Sequence, residues 1–377
     1  MDGKSLSNWD AFAHKSGIEP FVTITHFDHP QELEDKYQGW LSPEMQDEYV
    51  HLAEVCFKNL GDRVRYWITF NEPNIFATMA YLYGFWPPNR CSKSHANCTQ
   101  GNSGKEPFIV GHNLILAHAS AVNIYRNHYQ QKQGGQIGVA LYFNWYEPIS
   151  NSTADKAASM RAVSFSTNWF LDPIIYGVYP KEMRDLLGPI LPEFSSSNLE
   201  ILKSGLDFIG INHYATFYAK DCLFSTCETI NGNSREEGFV VQTMLKNGVP
   251  ISEKTGLDYL DVYPQGIEKV VTYTKEKYPN IPIHITENGY CDKTTSNSSM
   301  EEVLDDIKRV DFLAGYLNVL GNAIGKGADV RGYFVWSLLD NFEWTYGYSK
   351  RMGLHHVDRV TLRRTPKLSA KWYKQFI

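Results

Sequence analysis

The sequence predicts a parallel α/β fold, and three observations carry that prediction. Short runs that are apolar on both faces and rich in β-branched and aromatic residues recur along the chain, as in sheets covered by helices. The text between them has helical apolar spacing, so strand and helix alternate. The 377 residues contain no internal repeat, low-complexity tract or linker, a length that suits two average domains or one large α/β barrel. One domain spanning 1–377 is expected.

The elements follow in order. Residues 17–26 read as the first strand. Ser42-Pro43 starts a helix in which Tyr49, Leu52, Ala53, Cys56, Phe57 and Leu60 keep helical spacing up to Gly61. Residues 64–72 form the second strand, and 108–130 a helix with Leu114, Ala117, His118, Ala121 and Tyr125 on one side. Strands are expected at 136–143, 206–212, 281–287 and 330–336, with helices at 264–278 and 300–326. Residues 88–106 and 222–256, rich in Ser, Asn and Gly, read as long loops of the kind that shape a pocket above barrel strands.

Composition narrows the function. A hydrophobic content of 43% and a charged content of 21% are ordinary for a globular protein. The net charge of −6 argues against nucleic acid as partner. No membrane span is expected, because no apolar run approaches the roughly 18 residues it needs. The opening residues Met1 to Leu6 hold no apolar signal core. Asn97-Cys98-Thr99, Asn151-Ser152-Thr153 and Asn297-Ser298-Ser299 are N-glycosylation acceptors, which point instead to a secretory route. Cys91 with Cys98, and Cys222 with Cys227, make two tight pairs: small disulfide loops in an oxidising compartment, or free thiols in the cytosol. Neither pair has metal-ligand spacing, and no metal or cofactor is implied. Oligomeric state is not legible.

The chemistry gathers where strands stop. Glu72 closes the apolar run 64–71, and Glu287 closes 281–286. Pro73-Asn74 and Asn288-Gly289 follow as turn residues. A lone strand-end Glu is more often an ion-pair partner than a catalyst. Here, however, His26 and Asp28, Asn71 and Glu72, Asn144 and Trp145, Asn212 and Tyr214, Glu287 and Asn288, and Trp336 sit at six strand ends, with Asn341, Glu343 and Trp344 just beyond. In an α/β barrel such ends converge on one pocket. Aromatic faces beside carboxylates and amides suit a sugar, and a pair of carboxylates is what cleavage of a glycosidic bond requires. One must be protonated to donate to the leaving oxygen, the other ionised to attack the anomeric carbon or activate water. Spacing along the chain does not decide between retention and inversion.

At these residues the chain resembles glycoside hydrolase family 1, the β-glucosidase family. The likeness is carried by Thr69-Phe70-Asn71-Glu72-Pro73, by Ile285-Thr286-Glu287-Asn288-Gly289-Tyr290 and by the run from Gly332 to Trp344, and extends from about Gly17 to the C-terminus. The resemblance implies a TIM (β/α)8-type barrel and a retaining hydrolase with Glu72 as general acid/base and Glu287 as nucleophile. It implies a small β-D-glucoside as substrate. Asn71 would contact the sugar 2-hydroxyl, His26 the glycone, and Glu343 and Trp344 would bind it beside a Trp336 platform. Tyr214, next to Asn212, would touch the nucleophile. Cys91 and Cys98 fall where plant members carry a loop disulfide, and Tyr218 to Cys222 also looks plant-like, pointing to phenolic or monolignol glucosides. A myrosinase would carry Gln at position 72.

The resemblance breaks near the start. Ser7 to His14 is similar to the segment after the family's first barrel strand, and Ser16-Gly17 then jumps to its third. The expectation is a barrel with about six of eight strands. Residues 1–16 would be a remnant loop, and 17–377 would run from the third strand to the C-terminus. A glycone-binding Gln and an Arg that supports the nucleophile are lost with the gap. Edge strands would then expose unpaired backbone groups. The chain reads as a splice product or mis-predicted product of a β-glucosidase gene, active or reduced to glycoside binding.

Overall fold

The computed structural model describes residues 17–93, 95–227, 234–295 and 297–377. The stretch 1–16, read above as a remnant loop, lies outside the described residues. Two compact units emerge: Met1–Tyr142, Ser164–Gly210 and Ser234–Gly238 make the first, and Phe143–Val163, Ile211–Asn233 and Phe239–Ile377 the second.

All six strand expectations are met, each one to five residues shorter than its apolar run. They are β1 (Phe21–Thr25), β2 (Tyr66–Asn71), β3 (Gln136–Tyr142), β4 (Phe208–Asn212), β5 (Ile283–Asn288) and β6 (Val330–Val335). β1 starts at Phe21 rather than Gly17 because Pro20, lacking an N–H, cannot donate to a ladder.

In the first unit β1 runs parallel to β2, with Phe21 opposite Tyr66 and Thr25 opposite Phe70. β2 runs parallel to β3 and shifts register between Ile68 and Asn71. That irregularity lies next to Glu72, where bulges commonly re-aim a side chain. Helix α1 (Glu44–Leu60) packs on α3 (Glu106–Ile124), and α2 (Pro73–Tyr81) follows Glu72 directly. Phe57 of α1 meets the buried Trp67 edge-on at 5.2 Å, and Tyr125 lies 4.8 Å from Phe57. The helical stretch Glu106–Gln133, whose last part is π-helical, is long and apolar enough to cross a membrane by composition alone. Burial of 78% of its most apolar window explains that composition as core packing.

In the second unit β5 runs parallel to β6, pairing Ile283 with Val330 and Asn288 with Val335. Helices α4 (Pro264–Lys277) and α5 (Ile307–Gly325) pack together. The helix expected over 300–326 is two pieces: Met300–Leu304 stops with Asp305 outside helical geometry, and α5 starts afterwards. Residues 222–256 are not all loop. Val240–Thr243 pairs antiparallel with Thr216–Asp221, which runs parallel to Trp145–Pro148. Four residues flanked by Gly and polar text give too little periodicity to be seen in sequence. The helix Asn168–Tyr176 of the first unit was not expected either: buried Asn168 and Asp172 interrupt its apolar residues, and Pro173 lies inside it.

Candidate active site

In the first unit, β2 delivers five successive buried residues and ends at Asn71. Glu72 then turns into the left-handed region (φ 44°, ψ 48°), and Pro73 opens α2 immediately behind it. A Cβ-bearing residue in that region costs on the order of 1–3 kcal/mol, and such strain gathers at functional positions. The backbone around it is pinned. Glu72 N–H donates to Ala140 O at 2.8 Å, and Phe76 N–H to Glu72 O at 3.0 Å. Asn74 Nδ2 donates to Tyr142 O at 2.7 Å, while Tyr142 N–H donates to Asn74 Oδ1 at 3.2 Å. Glu72 is only 7% exposed.

His26, one residue past β1, lies with its Nε2 3.0 Å from Asn71 Nδ2. Burial pushes its pKa down to about 4 against the opposing pull of Asp28. The neutral ring can therefore accept from the Asn71 amide. A small cavity of about 10 Å³ is lined in part by Thr25, Phe27, Asp28, Asn71 and Phe76. Sequence reasoning passed over two supports of this strand end, Asn74 and the buried Thr69 hydroxyl, which lies 2.7 Å from His118 Nδ1. The position of Asn74, directly after Pro73 at a helix start, was the available signal.

In the second unit, β4 ends in buried Asn212, whose Oδ1 accepts from Thr286 Oγ1 at 2.6 Å. Tyr214 Oη donates to Glu287 Oε2 at 2.7 Å, and His213 N–H to Glu287 O at 2.9 Å. Asn288 Nδ2 donates to His213 O at 2.7 Å, and Tyr333 Oη to Asn288 Oδ1 at 2.6 Å. Gly289 fits the turn because a Cβ there would meet Trp336 O at 2.1 Å. Trp336 Nε1 donates to Glu343 Oε2 at 3.3 Å, and burial raises the Glu343 pKa against that hydrogen bond. Trp344 is exposed, with φ 44°. A hydroxyl donor on Glu287 is complementary to its carboxylate form, as a nucleophile needs. Tyr333 is the support that sequence missed here, hidden within a strand pattern.

The paired cysteines are bridged and the expected glycosylation sites lie on the surface. Cys91 and Cys98 form a disulfide, and so do Cys222 and Cys227. Asn97, Asn151 and Asn297 are all exposed. Among the described residues, no group of three or more His, Cys, Asp or Glu side chains could hold a metal ion.

Parallel strands alternating with helices, with a glutamate closing one strand in each unit, define the class of α/β glycosidases. Comparison with known proteins gives the family: the model of glycosyl hydrolase family 1 matches residues 11–377. The chain belongs to that family, whose members are TIM-barrel glycoside hydrolases of β-glucosidase type. Over 366 residues it is 52% identical to the "Probable inactive beta-glucosidase 14" of Oryza sativa subsp. japonica, covering 96% of this chain and 70% of the relative. It is 50% identical to "Beta-glucosidase 47" of Arabidopsis thaliana (96% and 65% covered) and 48% identical to the "Coniferin beta-glucosidase" of Pinus contorta (96% and 71%). The crystal structure of the rice Os3BGlu6 β-glucosidase superposes with a TM-score of 0.92 at 44% identity, covering 96% of this chain and 76% of that one.

Proposed function

We propose that this chain hydrolyses the O-glycosidic bond of a small β-D-glucoside by a retaining two-glutamate mechanism. Glu72 acts as general acid/base and Glu287 as nucleophile. The observation that carries the reading is the 2.7 Å hydrogen bond from Tyr214 to Glu287, because it aims a donor at one oxygen of a strand-end carboxylate. In the first half-reaction Glu287 attacks the anomeric carbon while Glu72 gives its proton to the leaving oxygen. In the second, Glu72 takes a proton from water, which attacks the same carbon and releases glucose and Glu287. Asn71 and His26 bind sugar hydroxyls, with Asn71 on the 2-hydroxyl, and so does Glu343 beside the faces of Trp336 and Trp344. Asn212 holds the segment that carries the nucleophile, through Thr286. A phenolic or monolignol glucoside as substrate is supported by the pine relative named for coniferin.

The same proposal treats the barrel as one domain with six of eight strands, the break falling at Ser16-Gly17. Loss of turnover is supported by the rice relative named "Probable inactive beta-glucosidase 14". The second reading is therefore a glycoside-binding protein that no longer turns over. Exposed sequons at Asn97, Asn151 and Asn297 and two disulfides favour passage through the secretory pathway. A chromogenic β-glucoside assay on this chain, with Glu287→Gln as control, separates the two. Turnover that the control abolishes supports the hydrolase. Saturable glucoside binding without turnover supports the binding protein.

A further inference from the structure

The second unit holds another cavity, built from the segment that follows β6. About 430 Å³ of solvent-open space is lined by Asp340, Tyr348, Arg351, His356, Asp358 and Arg359. None of these residues has been given a role in glucoside hydrolysis above.

The charges in this cavity are unevenly partnered. Asp340 is committed on one side, its Oδ1 accepting from Lys367 Nζ at 3.0 Å and from Gly353 N–H at 2.9 Å. Lys367 is fully buried and also reaches Asp292 at 3.2 Å, so the Asp340 charge is answered from within the protein. Asp358 is committed too. Its Oδ1 accepts from Val360 N–H at 3.0 Å, Thr361 N–H at 2.7 Å and Thr361 Oγ1 at 2.8 Å, and the Thr361 bonds foremost hold its pKa down.

The two arginines are not answered in this way. Among the described residues Arg351 donates only to neutral oxygens, Thr294 Oγ1 at 3.2 Å and Thr295 O at 3.3 Å. Arg359 has a long bond to Asn341 O at 3.4 Å and lies 4.2 Å over the ring of Tyr348. Among the described residues neither guanidinium has a carboxylate within ion-pair distance, although Arg309, Arg161, Arg126 and Arg90 all do. Among the described residues two further polar atoms are unanswered. Asp340 Oδ2 is buried, accepts no hydrogen bond, and lies 3.5 Å from His356 Nδ1, which makes none either.

We propose that this cavity binds a hydrogenphosphate-type oxyanion. Arg351 and Arg359 supply the planar donors that match a tetrahedral oxyanion. His356 lies beside them. Asp340 Oδ2 supplies an acceptor for the anion's own O–H, an arrangement that a proton-free oxyanion cannot use. Phosphate monoesters share this chemistry with inorganic phosphate in the fraction that keeps one proton.

The experiment is isothermal titration of the full chain at pH 7 and constant ionic strength with inorganic phosphate, glycerol phosphate and sulfate. Phosphate or its monoester is expected to bind saturably and more tightly than sulfate, and the stronger of the two identifies the source. Arg359→Gln is expected to weaken that binding about tenfold, the size of one charge-assisted hydrogen bond. Arg351→Gln should do the same. Should Arg351→Gln fail to fold, the exposed Arg359 position still decides the matter. Absence of saturable phosphate binding, equal affinity for sulfate, or an unchanged constant in Arg359→Gln overturns the proposal.

Discussion

Glu72 and Glu287 both terminate a parallel strand, and their surroundings are built in different ways. Around Glu72 stand a left-handed backbone, a proline behind it and the Asn74 side chain, which bonds Tyr142 in both directions. Glu287 owes its direction to side chains, with Tyr214 on its carboxylate and the Asn212–Thr286 and Asn288–Tyr333 bonds around it. Glu72 is buried and Glu287 half-buried. The difference matches the tasks proposed for them. An acid that must carry a proton gains from burial, and a nucleophile that must stay ionised gains from a fixed donor.

The largest expected effect tests that contrast directly. Glu287→Gln is expected to lower kcat on an activated aryl β-glucoside by roughly four orders of magnitude, as loss of a covalent nucleophile does. Glu72→Gln should cost far less with that leaving group, which departs without a proton, and the gap should close with alkyl glucosides. Equal losses for both variants on both substrates would erase the distinction between the two strand ends.

Acid should disturb both units through their histidines. Burial lowers the pKa to about 4 at His112 and about 3 at His118 in the first unit, and to about 4 at His213 and His284 in the second. These folded values lie below the unfolded 6.5, so the unfolded chain takes up protons first as pH falls. Stability is then whole above pH 6.5 and declines as pH drops towards 4. His213 alone contributes up to about 3 kcal/mol of that decline. Urea midpoints measured from pH 7 to pH 4 check it, and a flat profile would contradict the burial of these rings.

Two smaller changes sharpen the comparison. Tyr214→Phe removes the donor on Glu287 and is expected to lower kcat/KM roughly 10- to 100-fold, equivalent to about 1–3 kcal/mol, with little change in the urea midpoint. Asn74→Ala removes both bonds to Tyr142 and is expected to cost about 1–3 kcal/mol of stability by urea unfolding. The first variant should act mainly on chemistry and the second mainly on folding. A reversal would mean that Tyr214 serves folding and Asn74 the chemistry.

What could be read from the sequence was whatever local composition controls. Apolar runs located all six strands, because a strand covered on both faces must be apolar throughout. Proline, glycine and asparagine marked the turns beside both glutamates, because those residues carry their backbone preferences with them. The strand at Val240–Thr243 and the helix at Asn168–Tyr176 escaped notice, the first because four residues show no period and the second because buried Asn168 and Asp172 and an internal Pro173 break its apolar pattern.

By itself, then, the sequence determined the strand and helix alternation, the two strand-end carboxylates and the family motif around each. Only the tertiary structure decided which side chain supports which carboxylate. Tyr214 lies 73 residues from Glu287, and Asn74 lies 68 from Tyr142. Hydrogen bonds across such distances in the chain come from packing, which no local pattern of residues encodes. The same holds for the two arginines after β6, whose lack of carboxylate partners among the described residues appears only when their neighbours are in place.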